Sequence, residues 1–348
     1  MAERVVLHVG AMKSGTTYLQ SLLFAQKPTL AASGVHVVGE TWNDQVRGIR
    51  QALAPSRSKR PGPAWQRLID EIAGVDGTAV ISMEFLGPAG AKRAAQVVRE
   101  VGASRTSVVV TARDLGRTLV SMWQETIQNG RSWTWEDYLA DAERRRPVEG
   151  TQKGDRTSAG GTFWRQQDIV RIYSDWAEVV GPDEVTLVTV PGPGSGRGLL
   201  AERFAEASGL PIDAAAPVTV GNESLGLASA LVLRRLNELL DEQGLSFPAG
   251  NKVRKKLLAK QVLAARRSSE PALGLQPPDW VREQAATTRR VLTDRQVRLV
   301  GDWADLTPVA VAGITPAEVD PAQVSEAAIA ALAGVVADRL RPRATDES

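Results

Sequence analysis

The sequence predicts an α/β fold: a central parallel β-sheet of about five strands flanked by helices, continued by a helical C-terminal region. Short β-branched runs alternate with segments of helical period over residues 1–215, as βαβ units require. The runs within residues 78–84 and 106–112 are continuous and apolar, the mark of strands buried on both faces. After Pro217 the strand signal disappears and the rest of the chain reads as helices.

Taken in order, strands are expected at residues 4–9, 34–38, 78–84, 106–112 and 184–190. Between them, Leu19, Leu22 and Leu23, then Ala94, Val97, Val98 and Val101, then Leu119, Trp123 and Ile127 recur at helical spacing. Further helices are expected at 225–240, 252–267, 280–299 and 325–340. This divides the chain into an α/β core, residues 1–215, and a helical region, residues 216–348, packing on it. The Pro/Gly-rich stretches at residues 56–63 and 191–198 read as solvated connectors, with an active-site lid as the alternative. Residues 343–348 read as a frayed tail.

Composition narrows the chemistry. The 348 residues hold 42 Lys and Arg against 40 Asp and Glu, with 43% hydrophobic residues, an ordinary globular balance. The absence of cysteine excludes disulfides, thiolate metal sites and cysteine nucleophiles, and two histidines argue against a histidine-built metal centre. No export signal and no apolar run long enough for a membrane span is visible, so a cytoplasmic protein is expected. A net charge of +2 gives no reason to expect a nucleic-acid partner, and any anion site must be local.

The most informative segment joins the first strand to the first helix, Gly10-Ala11-Met12-Lys13-Ser14-Gly15-Thr16-Thr17. Such a turn offers backbone N–H groups and the positive end of a helix dipole to an anion. Lys13 adds an ammonium, and Ser14, Thr16 and Thr17 add hydroxyl donors. The nucleotide-triphosphatase pattern G-x-x-x-x-G-K-[ST] is not met, because the lysine precedes the second glycine, Gly15, by two positions. The fourth strand then runs into Arg113-Asp114, and Ser121 follows on the next helix. An arginine at a strand's carboxyl end and a serine about two turns into the following helix are able to converge on one phosphate.

Met12-Lys13-Ser14-Gly15-Thr16-Thr17-Tyr18-Leu19 resembles the 5′-phosphosulfate loop of the sulfotransferases, [P]-K-[ST]-G-T-T-x-L, and Arg113 with Ser121 resembles their Arg-x7-Ser site for the 3′-phosphate. Leu115 stands where family members usually carry proline. The resemblance spans roughly residues 5–125 and continues more weakly through FWRQQD and NESL to about residue 240. It implies a P-loop-like core and sulfuryl transfer from 3′-phosphoadenosine 5′-phosphosulfate, without a metal, to a hydroxyl or amine of a small-molecule, carbohydrate or lipid acceptor. It also implies that Lys13 assists the leaving phosphate, that Thr16 and Thr17 anchor the 5′-phosphate, and that a glutamate or histidine serves as base.

Glu84 ends the third strand at the same sheet edge as Lys13 and Arg113, which makes it the expected base. His36, inside the second strand, is the alternative, while His8 is expected to point into the packing of the sheet. Trp123, Trp133, Trp135, Tyr138, Phe163 and Trp164 read as helix packing, with an acceptor pocket as the other reading. Arg165, Gln167 and Asp168 are further acceptor candidates of unfixed direction, and Arg254-Lys255-Lys256 reads as a solvated face or a late contact to the 3′-phosphate. Two rival functions stay open: a P-loop kinase or triphosphatase with a degenerate loop, and a catalytically idle nucleotide-binding module. The acceptor and the oligomeric state are not readable from the sequence.

Overall fold

The computed structural model describes residues 2–54, 62–102, 105–148, 157–218 and 224–341; most of the loop expected at 56–63 and the tail at 343–348 lie outside them. β1 (Arg4–His8) leads into α1 (Thr16–Ala25) and α2 (Lys27–Ala32), and β2 (Val35–Val37) into α3 (Trp42–Leu53) and α4 (Pro63–Ala73). β3 (Thr78–Ser82) is followed by a 3-10 segment (Glu84–Ala89) and α5 (Ala91–Val101). β4 (Arg105–Ala112) precedes α6 (Leu115–Gln128), α7 (Trp135–Arg144), α8 (Ala159–Gln167) and α9 (Ile169–Val180). Then come β5 (Val185–Thr189), α10 (Arg197–Ser208), α11 (Leu227–Glu242), a π-helix (Lys252–Leu263), α12 (Asp279–Asp294), β6 (Arg298–Val300) and α13 (Pro321–Leu340).

Six strands form one parallel sheet in the order β2-β3-β1-β4-β5-β6. The five expected strands are present, and β6 is the addition. It lies where the helix expected at 280–299 was to end: α12 stops at Asp294, and Gln296 enters the left-handed region at φ 54. The N–H of Val297 then bonds Leu292 O and that of Gln296 bonds Thr293 O, the paired bonds of a Schellman stop. Three residues led by an arginine make no apolar run, and an edge strand needs only one partner, so the pattern carries no strand signal.

Strand alternation splits the core between two faces of the sheet. Val5, Leu7, Ala79, Ile81, Val108, Val110 and Leu187 pack with α3, α4, α5 and α9 through Ile49, Trp65, Val97, Ile172 and Trp176. Val6, Val80, Val109 and Val188 pack on the other face with Leu19, Leu22, Leu23 and Phe204 from α1 and α10. His8, Ser82 and Thr111 continue this second face toward the carboxyl edge, with His8 level with Ser82 and with Val109.

By packing, the chain groups into two compact units. The first comprises residues 1–115, 145–220 and 279–308 and contains the whole sheet; the second comprises 116–144, 221–278 and 309–348 and is helical. In the second unit the aromatic residues of α6 and α7 are core: Trp123 meets Trp135 edge-on at 5.7 Å, and Trp135 stacks on Tyr138 at 5.9 Å. No described helix is long and apolar enough to cross a membrane.

Candidate functional site

The carboxyl edge of β1, β3 and β4 brings together Lys13, Glu84 and Arg113, all in the sheet-bearing unit. The loop after β1 is bent by three residues in positive φ, Gly10 (37), Lys13 (62) and Gly15 (82). For a lysine this conformation is disfavoured, by about 1–2 kcal/mol, so the surrounding contacts must hold it. Those contacts fall on successive carbonyls. Ser14 Oγ donates to Ala11 O at 2.5 Å, Gln167 Nε2 to Met12 O at 2.9 Å, and Arg113 Nη1 to Lys13 O at 3.4 Å. In a trans peptide the N–H points opposite to the C=O. With three carbonyls turned to protein donors, the N–H groups of Met12, Lys13 and Ser14 are turned the other way, and α1 begins from Gly15 without a side-chain cap. That is the geometry of an anion cradle.

Two glycines make the bend possible. A Cβ on Gly10 would sit 2.6 Å from Thr16 Cγ2 and 3.0 Å from Thr111 Oγ1. A Cβ on Gly87, in the turn after β3, would sit 2.6 Å from Gly10 O and 3.1 Å from Val9 O, so the Glu84 segment lies directly against the loop backbone.

Beneath the loop runs a buried polar chain whose direction follows from counting protons. The one proton of the Ser14 hydroxyl is committed to Ala11 O, so the 2.6 Å contact between Ser14 Oγ and Thr111 Oγ1 is donated by Thr111. Thr111 Oγ1 therefore accepts from His8 Nε2–H at 3.2 Å, and His8 Nδ1 accepts from Ser82 O–H at 2.7 Å. The ring is neutral throughout, because burial lowers its pKa from the ordinary value to about 3. His8 also packs on Phe204 at 4.9 Å between centroids. It belongs to the sheet packing, as expected, and in addition ties three strands to the loop. The Ser14 hydroxyl, expected to be a phosphate donor, is instead directed inward, and Ser14 is 1% exposed. What Ser14 can offer an anion is its backbone N–H. Thr16 is buried, and Thr17 is more accessible beside it.

Glu84 is half-buried, and Gln20 Nε2 from α1 holds its Oε2 at 2.8 Å while also donating to Ser82 O at 3.1 Å. His36 sits apart: it lies level with Ala79, three positions before Ser82 on the neighbouring strand, and its Nε2 meets Glu71 Oε1 at 2.6 Å. A hollow of about 430 Å³ adjoins it beside the amino ends of β2 and β3, and none of the loop residues line it. Ser121 lies on α6 in the helical unit and donates to Arg117 O at 2.9 Å.

Of the remaining candidates, Gln167 supports the loop, whereas Asp168 caps α9 through Arg171 N at 3.0 Å, its carboxyl pKa raised by burial. Arg254 is 3% exposed and donates to Leu245 O, and Lys255 bonds Asn129 Oδ1 at 2.6 Å and Glu125 Oε1 at 3.2 Å. Only Lys256 of that run is an exposed cation, so a solvated face describes Lys256 and not the run as a whole. Sequence reasoning missed Gln20 and Thr111, the first because a helical glutamine reads as neutral, the second because a threonine in a strand reads as β-propensity.

No known protein family and no curated protein matches the chain. Among solved structures it is similar to a sulfotransferase from Alicyclobacillus acidocaldarius, with 17% identity, 75% of this chain and 98% of that chain covered, and a TM-score of 0.38.

Proposed function

We propose that this chain is a sulfotransferase that moves the sulfuryl group of 3′-phosphoadenosine 5′-phosphosulfate to a hydroxyl or amine of a small-molecule, carbohydrate or lipid acceptor. The observation that carries this reading is the loop itself: Lys13 is held in left-handed geometry, with the amides of residues 12–14 turned outward and the Arg113 guanidinium donating to the lysine's own carbonyl. Two cations from adjacent strand ends therefore flank one cradle, an arrangement suited to a ligand with separate anionic groups.

In this assignment the backbone of Met12 to Ser14 and the first turn of α1, with Thr16 and Thr17, bind the 5′-phosphate. Arg113, at the carboxyl end of β4, binds the 3′-phosphate. Transfer breaks the bond from sulfur to the bridging oxygen and forms one from sulfur to the acceptor atom, with the electron pair left on the 5′-phosphate. Lys13 neutralises the charge that develops there. Glu84, oriented by Gln20, takes the acceptor's proton. In this assignment both demands fall to the chain's own residues.

The test compares thermal stabilisation by adenosine 3′,5′-bisphosphate in chelator with that by ATP and magnesium. Occupancy at a hundredfold excess over the dissociation constant stabilises by about 2.7 kcal/mol. Selective stabilisation by the bisphosphate, followed by mass-spectrometric gain of one SO₃ group on a panel of hydroxyl and amine acceptors, is the expected result. Magnesium-dependent stabilisation by ATP alone points to a kinase or triphosphatase, and bisphosphate binding without transfer to any acceptor points to an idle binding module.

A further inference from the structure

The last helix of the helical unit leaves a stripe of large apolar residues outside. α13 turns its small residues inward: Ala327 and Ala331 are buried, and Gly334 lies so close to the Val262 side chain that a Cβ would clash with it. Val324 and Val335 are half-buried beside them, but four large apolar residues face out, with Ile329 67% exposed, Leu332 65%, Val336 48% and Leu340 77%. A helix that only covered its neighbours would bury the large residues and expose the small ones. The four fall at spacings of three, four and four, a single stripe about 17 Å long.

We infer that this stripe is a self-association surface, on which α13 of a second copy of this chain lies antiparallel across a two-fold axis at the level of Gly334. The charges select the occupant and its direction. Acidic Asp320 and Glu326 stand toward the start of the helix, and basic Arg339 and Arg341 stand at its end, with Asp338 the one acidic group there. Antiparallel pairing sets the Glu326 turn of each copy beside the Arg339 and Arg341 turn of the other, whereas parallel pairing sets like against like. Glu326 is 70% exposed and touches its own chain only loosely, at 3.6 Å from Arg266. The same two-fold places Leu332 against Val336 of the second copy, and Ile329 against that copy's Leu340 turn. A lipid surface is a poorer occupant, because α13 carries no lysine and a single arginine.

The area is small. A helix of 20 residues is about 30 Å long and about 10 Å wide, roughly 300 Å² on each copy and on the order of 600 Å² over both, below the ~1,000 Å² of a stable specific interface. The dimer is therefore concentration-dependent, and it stands independently of the chemistry assigned to the loop.

A chain without cysteine makes the test clean. On oxidation Ala333→Cys, next to the axis, forms a covalent dimer, whereas Ser325→Cys, about 27 Å from its own counterpart in this arrangement, does not. Cross-linking of both variants indicates parallel helices, and cross-linking of neither indicates no pairing; each overturns the proposal. In sedimentation velocity the wild type shifts from monomer to dimer in the micromolar range, and Leu332→Glu, with unchanged circular dichroism, stays monomeric. A wild type that remains monomeric to hundreds of micromolar overturns the proposal. So does Leu332-dependent binding to phosphatidylcholine or phosphatidylglycerol vesicles by a monomeric wild type.

Discussion

Replacing His8 by glutamine removes the one titrating group in the polar chain beneath the loop while keeping an Nε2 donor for Thr111. The wild-type ring has a pKa near 3 in the folded chain because it is buried, against an ordinary 6.5. The unfolded chain thus binds a proton between those values and the folded chain does not, so stability is fully present above pH 6.5 and falls as the pH drops toward 3. The whole span is worth about 5 kcal/mol at ~1.36 kcal/mol per unit, and the step from pH 7 to pH 5 about 2 kcal/mol. For a chain of this length that step lowers the melting temperature by roughly 3 °C. Urea unfolding followed by tryptophan fluorescence, at pH 7 and pH 5, measures it. The His8→Gln chain is expected to be less stable at pH 7 by about 1–2 kcal/mol, since the Ser82 hydroxyl loses its acceptor. It should also lose less stability on acidification than the wild type does, by about 2 kcal/mol. His36 is present in both chains and cancels in the comparison. Equal acid sensitivity of the two chains would refute the buried neutral ring, and with it the deduced direction of the hydrogen-bond chain.

The catalytic assignments give sharper contrasts. Lys13→Ala should lower turnover at saturating donor by about 10²–10³-fold, the usual loss for one preorganised electrostatic contact. Glu84→Gln should lower the rate by about 10²–10⁴-fold while leaving affinity for adenosine 3′,5′-bisphosphate nearly unchanged, as calorimetry and initial rates together would show. Gly87→Ala places a methyl group 2.6 Å from Gly10 O, and should weaken bisphosphate affinity and destabilise the fold by about 1–3 kcal/mol, read by calorimetry and urea unfolding.

Much of this architecture was legible because buried parallel strands leave a plain trace. The runs around Val80-Ile81 and Val108-Val109-Val110 are apolar on both faces, and they do pack on both. β6 left no such trace, since Arg298-Leu299-Val300 is held by one neighbour and set up by a helix stop at Gln296. The placement of Lys13, Glu84 and Arg113 along one sheet edge was legible because each follows the carboxyl end of an expected strand. The residues that orient them were not. Gln20 and Gln167 reach Glu84 and Met12 from 64 and 155 residues away in sequence, a relation that no local pattern encodes. Ser14 shows the converse: its residue type suggested a phosphate donor, and the acceptor three residues before it, Ala11 O, claims the proton.

In the proposed assignment one bis-anionic adenosine ligand is gripped at both ends, by the loop of Lys13 and by Arg113. Phosphorus NMR of adenosine 3′,5′-bisphosphate tests it directly, because the two phosphates resonate separately. Titration with the wild-type chain in chelator should perturb both resonances, and Arg113→Ala should abolish the change at the 3′-phosphate while retaining that at the 5′-phosphate. Two resonances that stay at their positions in free solution under excess protein would rule out a bisphosphate held at this edge.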